Sequence, residues 1–386
     1  MKKKVLAALL SVSMISALLV GCGSTAAETP AEAPATEEAA PAEEAAPADD
    51  AAATEEAAGD VQEVATADGG VITVGFSQVG AESDWRTANS ESMKSTFSEE
   101  NGYELTFDDA QQKQENQITA IRNFIQQEVD YIVLAPVTET GWDTVLQEAK
   151  DAGIPVIIVD RMVDVSDESL YTAWVGSNFE LEGQKAAEWL NAFATAKGIA
   201  AADIHIVDIQ GTIGASAQIG RTKGLEAAAS SYGWDLLAEE TGEFTQAKGQ
   251  EVMESMLKQY DNINVVYCEN DNEAFGAIDA IEAAGKTVGS DIANGQIMVM
   301  SFDSTNAGLT DTLSGKITVN TECNPLHGPR VEEIIKTLQS GGTPDKQAYV
   351  EEGIFCADDS VTKVTVDGTD YDVTLLTQEV LDARAY

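Results

Sequence analysis

From Val71 onward the chain alternates between short β-branched runs and stretches with helical periodicity. That alternation constrains its fold more than any other feature. VITVGFS (71–77) suits a strand buried on both faces. Residues 84–101 place Trp85, Ala88, Met93 and Phe97 at helical spacing and stop at Asn101-Gly102. YELTFDD (103–109), a helix over 113–127, DYIVLAP (130–136), a helix over 139–152, IPVIIVD (154–160) and YTAWVGS (171–177) complete a first half. A helix over 179–197 restarts the pattern. DIHIVDIQG (203–211), a helix over 214–232, a strand at 235–239, a helix over 245–260 and NVVYCEND (264–271) follow. A helix over 272–284, IMVMSFD (297–303), a helix near 304–313 and ITVNTE (317–322) end it. Repeated βαβ units imply parallel sheets with helices on both faces. Some ten strands divide naturally into two sheets, so the expected architecture is α/β, with two doubly wound parallel-sheet lobes. Such sheets bind ligands at the carboxyl ends of their strands.

The segment before this alternation reads differently. Lys2, Lys3 and Lys4 precede an apolar run, Val5 to Val20, that ends in Gly21-Cys22. A run this short is an export signal rather than a spanning helix. Leu19-Val20-Gly21-Cys22 looks like a bacterial lipobox, which makes 1–22 a lipoprotein signal peptide and Cys22 the lipidated residue. A plain secretory peptide with an incidental Cys is the alternative. Residues 23–68 carry 13 acidic residues, no Lys, Arg or aromatic, and prolines at 30, 34, 41 and 47. Such a segment buries too little apolar surface to offset the entropy of ordering, and like charges extend it. It is expected to be a disordered acidic Ala/Pro/Glu tether, the prolines interrupting any Ala/Glu helix.

Charge and residue counts then exclude several functions. Lys plus Arg is 22 against 66 Asp plus Glu, a formal net charge of −44, which argues against a nucleic-acid partner. Only His205 and His327 are present, with Cys22, Cys268, Cys323 and Cys356, so His-dependent catalysis and Cys/His metal sites are not expected. Gly285-Lys286-Thr287 lacks the earlier Gly of a phosphate loop, because position 280 is Ala. No G-x-G-x-x-G follows a strand, and there is no G-x-S-x-G or H-E-x-x-H. The thiols read as quiet and buried, and the spacing leaves a Cys323–Cys356 disulfide open. No cofactor is expected.

The chemistry-bearing residues cluster just after the strands. They are Gln78 to Arg86, Asp160-Arg161, Gln210-Gly211, Glu269-Asn270-Asp271, Ser301-Phe302-Asp303 and Thr321 to Asn324, with Arg221 inside the helix after Gly211. Carboxylates, amides and guanidiniums together satisfy hydroxyls that both donate and accept, and an aromatic such as Trp85 covers a sugar's C–H face. Taken singly, Trp85 reads as helix-face core and Asp160-Arg161 as an ion pair or cap. Their shared placement at strand ends points to a binding site.

These segments resemble the sugar-binding lipoproteins of bacterial ABC transporters, in the type 1 periplasmic-binding-protein fold, ribose/galactose group, nearest the galactofuranose-binding subfamily. VGFSQVGAESDWR (74–86), DAQQKQENQITAIRNFI (109–125), PVTETGWDTVLQEAK (136–150), DRMVDVSDESLY (160–171), QGTIGASAQIGRTKG (210–224), GEFTQAKGQEVMES (242–255) and END (269–271) carry the resemblance. It implies a three-crossover hinge between lobes 69–177 plus 323–350 and 178–322 plus 351–386. It also implies ligand contacts from Trp85, Arg86, Gln112 (with Gln111 beside it), Asp160, Arg161, Arg221, Phe244, Asn270, Asp303 and Glu322. The segment VTKVTVDGTDYDVTLLTQEVLDARAY (361–386) is longer than the resemblance leads one to expect. The implied protein is a monomeric receptor, lipid-anchored outside the cell membrane, that closes on galactofuranose or a related pentose or hexose and delivers it to a permease. A sugar-sensing receptor for a signalling system, and a carbohydrate-active enzyme using two cleft carboxylates, are the rivals. A repressor of the same fold is disfavoured, since an export signal stands where a DNA-binding headpiece would.

Overall fold

The computed structural model describes residues 70–386. The expected signal peptide with Cys22 and the expected tether lie outside these residues. The first half runs β1 (Ile72–Gln78), α1 (Asp84–Thr96), β2 (Tyr103–Asp109), α2 (Gln114–Gln126), β3 (Tyr131–Leu134), α3 (Asp143–Asp151), β4 (Val156–Val159) and β5 (Ala173–Gly176). The second runs α4 (Phe179–Lys197), β6 (His205–Gln210), α5 (Ser216–Tyr232), β7 (Asp235–Thr241), α6 (Gln246–Gln259), β8 (Val265–Cys268), α7 (Asp271–Ala283), β9 (Met298–Asp303), α8 (Asn306–Ser314) and β10 (Val319–Glu322). Then come α9 (Gly328–Gln339), β11 (Gln347–Tyr349), β12 (Ile354–Cys356), β13 (Lys363–Val366), β14 (Thr369–Asp372), β15 (Thr374–Leu375) and α10 (Gln378–Asp382).

Two sheets carry the fold. The first has the order β11-β5-β4-β3-β1-β2 and is wholly parallel. The second has the order β15-β12-β10-β9-β8-β6-β7 and is parallel except where β12 runs against β10. Each sheet is buried on both faces, so alternate residues enter different cores. Tyr131 and Val133 of β3 pack with Val74, Phe76, Ile157 and Val159 on one side. Ile132 and Leu134 pack with Phe124, Trp142, Val156 and Ile158 on the other. In both sheets the first strand of the unit, β1 or β6, lies between the second and third. That is the switch point at which neighbouring connections leave to opposite faces and open a crevice.

The chain passes between the sheets three times, after β5, after β10 and between β11 and β12. The returning helix α9 packs Val331, Ile334, Ile335 and Leu338 into the first core. The C-terminal segment packs onto the second sheet. Val361, Val364 and Val373 join Trp189, Ile354 and Cys356, and Leu376 packs with Leu309 and Phe355. Arg384 and Tyr386 then reach Glu322 at the end of β10, with the Tyr386 hydroxyl donating to Glu322 Oε1 at 2.6 Å and Arg384 Nη1 at 2.8 Å.

Some boundaries depart from the periodic reading. The helix expected over 84–101 ends at Thr96, because Phe97 leaves helical geometry and a 3₁₀ turn at Glu99–Asn101 carries the chain to Gly102 at φ +86°. The helix expected over 139–152 begins only at Asp143, because Gly141 sits at φ +92°. Strands β11, β12 and β15 have two or three residues each, too few for any period to show.

One buried feature opposes folding at neutral pH. Asp208 of β6 is fully buried and neither carboxyl oxygen has a hydrogen-bond partner. It lies opposite Glu239 in the ladder. Burial, then Glu269 and Glu239, push its carboxyl well above the usual range. Burial likewise pushes Glu269 up to about 8. A folded pKa above the unfolded value means that the folded state holds a proton the unfolded state has released, so stability falls as pH rises through the folded value. The melting temperature is therefore expected to be highest near pH 5 and to fall toward pH 8. Asp208→Asn should shrink that fall, as read by calorimetry across the range.

Candidate functional site

The residues singled out in the sequence converge where the two sheets' carboxyl ends face each other. Ser83 caps α1, its Oγ accepting the Arg86 N–H at 3.1 Å, which sets Trp85 and Arg86 in the first helical turn. Trp85 Nε1–H donates to the Cys323 carbonyl at 2.7 Å, and its ring meets His327 edge to face. The Arg86 guanidinium lies 4.6 Å over the Trp85 ring, donates to Glu82 Oε1 (3.0 Å) and Gln78 Oε1 (3.2 Å), and sits 2.8 Å from Asp160 Oδ2. Arg161 donates to the Val137 carbonyl at 3.0 Å and lies 5.0 Å over the Phe244 ring. Each aromatic of the site therefore has a guanidinium on it.

The second sheet supplies the rest. Arg221 Nε donates to Glu182 Oε2 at 2.8 Å, Nη1 donates to the Glu269 carbonyl, and Nη2 lies 3.7 Å from Asp303 Oδ1. Asn270 caps α7, its Oδ1 accepting the Glu273 N–H at 2.8 Å while its Nδ2 donates to the Phe244 carbonyl at 3.1 Å. The Phe244 N–H returns to Glu273 Oε1 at 2.8 Å. Gly211 lets this ring lie flat on the backbone, since a Cβ there would stand 1.9 Å from Phe244 Cζ.

Backbone strain gathers at these positions. Asp160 (φ +63°), Phe244 (φ +60°), Asp303 (φ +95°), Gln111 (φ +53°) and Gln112 (φ +59°) all hold the left-handed region. Each such residue costs about 1–3 kcal/mol and persists only where its surroundings over-determine it.

Together Glu82, Ser83, Trp85, Arg86, Asp160, Arg161, Phe179, Ala217, Arg221, Phe244, Asn270, Asp303 and Cys323 line a narrow cavity of about 20 Å³. That is room for about one water molecule, so a larger ligand enters only as the two sets of strand ends move apart. Glu82 Oε2 and Arg161 Nε are buried and without hydrogen-bond partners among the described residues. Burial and the neighbouring Arg86 bring the Arg161 pKa down to about 10. Burial pushes the Asp303 carboxyl up although Arg221 opposes it. By contrast, Arg86 and Arg161 overcome burial at Asp160 and hold its carboxyl below the usual range.

Of the sequence-predicted residues, Trp85, Arg86, Asp160, Arg161, Arg221, Phe244, Asn270 and Asp303 line this cavity, and Gln112 and Glu322 do not. Gln112 is half-buried in a turn, its N–H donating to the Val79 carbonyl at 2.7 Å. Glu322 faces the third crossover, accepting the Gly353 N–H at 2.8 Å. The expected ligand contacts left out Glu82, Ser83, Phe179, Ala217 and Cys323; of these, Glu82, Ser83 and Cys323 lie in the strand-end segments that the sequence marked, whereas Phe179 and Ala217 do not. Glu82 had a signal in its i,i+4 spacing from Arg86. Ala217 has none, since its role is to leave space.

Behind the cavity one carboxyl ties the crossovers together. Glu352 Oε1 accepts the Ser177 hydroxyl (2.6 Å) from the first crossover and the Asn324 N–H (2.7 Å) from the second. Burial and then Glu182 push the Glu352 carboxyl well above the usual range, so it holds a proton. Glu182, Cys323 and Glu352 bring three ligand atoms within 4.8 Å of one another. Glu182 is committed to Arg221, and Glu352 to Ser177 and Asn324, so two of the trio are already engaged by protein donors at the crossovers. Cys268, Cys323 and Cys356 are free thiols, so the pairing left open for Cys323 and Cys356 is not made. Replacing Glu352 by Ala strands the Ser177 hydroxyl and the Asn324 N–H. The expected cost is about 1–3 kcal/mol for each group left unsatisfied, read as a drop in unfolding midpoint.

A two-lobed parallel α/β fold with its polar cavity at the strand ends of both lobes is the architecture of extracytoplasmic solute-binding proteins. Residues 74–323 match the family described as a periplasmic binding protein domain. The galactofuranose-binding protein YtfQ of Escherichia coli (strain K12) is 40% identical over 292 residues, 74% of this chain and 88% of that protein. A solved Mycobacterium smegmatis structure in complex with β-D-fucofuranose is 42% identical, covers 75% of this chain and 92% of its own, and has a TM-score of 0.70. The periplasmic component of a Shewanella sp. ANA-3 arabinose ABC transporter, bound to α- and β-L-arabinofuranose, is 40% identical at a TM-score of 0.68, covering 73% and 91%. The chain belongs to the type 1 periplasmic binding protein family. These relatives bind sugars, and none of them is named as an enzyme.

Proposed function

We propose that this chain is the extracytoplasmic receptor of a sugar importer, that its lobes close on one furanose-form monosaccharide, and that the closed form delivers it to a membrane permease. The observation that carries the reading is the charge balance of the cavity. Three guanidiniums, Arg86, Arg161 and Arg221, share it with three carboxyls, Glu82, Asp160 and Asp303. Each guanidinium has a carboxyl beside it without calling on Asp303, Arg86 at Asp160, Arg161 near Glu82 and Arg221 at Glu182, so the cavity suits a neutral ligand with many hydroxyls rather than a sugar acid or phosphate. Trp85 and Phe244 offer apolar surface for C–H faces, and Glu82 Oε2 and Arg161 Nε have free hydrogen-bonding capacity.

The two lobes divide the work. Trp85, Arg86, Asp160 and Arg161 belong to the first sheet's strand ends, and Arg221, Phe244, Asn270 and Asp303 to the second. A sugar held by both sets stabilises the closed form by what it contacts better there. Galactofuranose is the preferred candidate, supported by the YtfQ relationship and by the furanose ligands of the two solved relatives. Transport energy belongs to the permease and its ATPase.

Calorimetric titration of the purified chain with galactofuranose, fucofuranose, arabinose, ribose, galactose and glucose tests the reading. Tight one-to-one binding of a furanose without turnover supports it, and binding of none of them defeats it. Asp160→Asn is expected to weaken that binding by roughly 10- to 100-fold, the worth of a hydrogen bond to a charged group, and to lower the unfolding midpoint as well, because the buried Arg86 loses its charge partner. The anchor is tested separately: Cys22→Ser is expected to move the protein from the membrane fraction to the soluble one.

A further inference from the structure

The lobes also bond to each other directly, outside the cavity lining. The Asp84 N–H donates to Asn272 Oδ1 at 3.0 Å, the Met162 N–H to Ser216 Oγ at 2.9 Å, and the Glu139 N–H to the Gly214 carbonyl at 2.9 Å. All three donors are main-chain amides of the first lobe, and all three acceptors belong to the second. Asp84 opens α1, and the first amides of a helix have no acceptor within it. The capping Ser83 Oγ serves Arg86, which leaves the Asp84 amide for the opposite lobe. Because the donor is an N–H, the Asn272 side chain must present its oxygen. Ser216 and Asn272 are buried, and neither lines the cavity.

We propose that Ser216 and Asn272 are closure latches: positioning residues that hold the lobes shut without touching the sugar, and so set affinity for every sugar alike. The inference rests on the sugar-receptor reading above. A contact made only in the closed form counts wholly toward the closing equilibrium, whatever the ligand. In the open form these amides bond to water, so each latch shifts closing by roughly two- to tenfold. With the open form predominant before binding, the apparent dissociation constant rises by the factor by which the closed fraction falls. Choice among sugars remains with the lining residues, whose loss penalises one sugar more than another.

The test uses Ser216→Ala, Asn272→Ala and the pair. Ser216 is the first residue of α5 and Asn272 the second of α7, where Ala is well tolerated. The pair is expected to weaken binding of every sugar that the wild type binds by one common factor, roughly 4- to 100-fold, and Ser216→Thr, which keeps the acceptor, is expected to restore wild-type affinity in the Ser216 series. Affinities that do not change, or losses that differ from sugar to sugar, overturn the proposal. A second readout needs no sugar. In a full chain carrying Cys22→Ser, dyes on Glu100→Cys and Lys286→Cys, both exposed and one on each lobe, report the closed fraction by single-molecule energy transfer. The paired substitution is expected to lower that fraction in the empty protein, and an unchanged fraction overturns the latch. If the wild type binds none of the sugars, the receptor reading fails while the energy-transfer measurement still decides the latch.

Discussion

The buried guanidinium of Arg221 is the interaction on which the second lobe's half of the site depends. It is a fully buried cation whose donors reach Glu182 on α4, the Glu269 carbonyl after β8 and Asp303 at the end of β9. It also lies 4.8 Å over Phe302. A buried charge is tolerable only when paired and hydrogen-bonded, and removing one partner costs about 3–5 kcal/mol. Helices α4 and α5 meet at glycines so that this can happen. A Cβ on Gly183 would stand 2.7 Å from the Arg221 carbonyl oxygen, and one on Gly224 would stand 2.6 Å from the Gln184 nitrogen. Close backbone approach brings Glu182, at the start of the lobe, against a cation at its binding edge.

The same cation links cavity to crossovers. Glu182 holds Arg221 with one oxygen and faces Glu352 with its other, and Glu352 holds the first and second crossovers. Cavity lining, lobe core and crossovers are thus neighbours in one polar network rather than separate devices. Glu182, Asp303 and Glu352 give it three carboxyls around one cation. Several of its acids are buried with protons on them, or beside guanidiniums, instead of repelling one another as anions.

Much of this was legible in the sequence, and the physics says which part. Long βαβ periods are visible because a strand buried on both faces must be apolar throughout, as β3 and β4 are. The site was legible because parallel sheets direct ligands to strand ends, so Asp160, Asn270 and Asp303 were marked by position as much as by type. What stayed hidden depends on three-dimensional approach. Gln112 and Glu322 have the right chemistry and the right neighbours in sequence, yet their turns aim them past the cavity. Phe179 and Ala217 line it because α4 and α5 happen to close there, and no periodicity records that. That Glu352 joins the crossovers was invisible for the same reason: its partners, Ser177 and Asn324, lie far away in the chain.

The C-terminal segment has a practical consequence. Because Arg384 and Tyr386 bond to Glu322, and Glu322 in turn takes the Gly353 N–H, residue 386 is fastened beside the crossovers between the two sheets rather than trailing from the surface. A reporter domain fused there on a short linker would sit beside the crossovers. The closing proposed above would then be carried to that domain as a change of orientation, which makes this end a natural attachment point for an optical sensor.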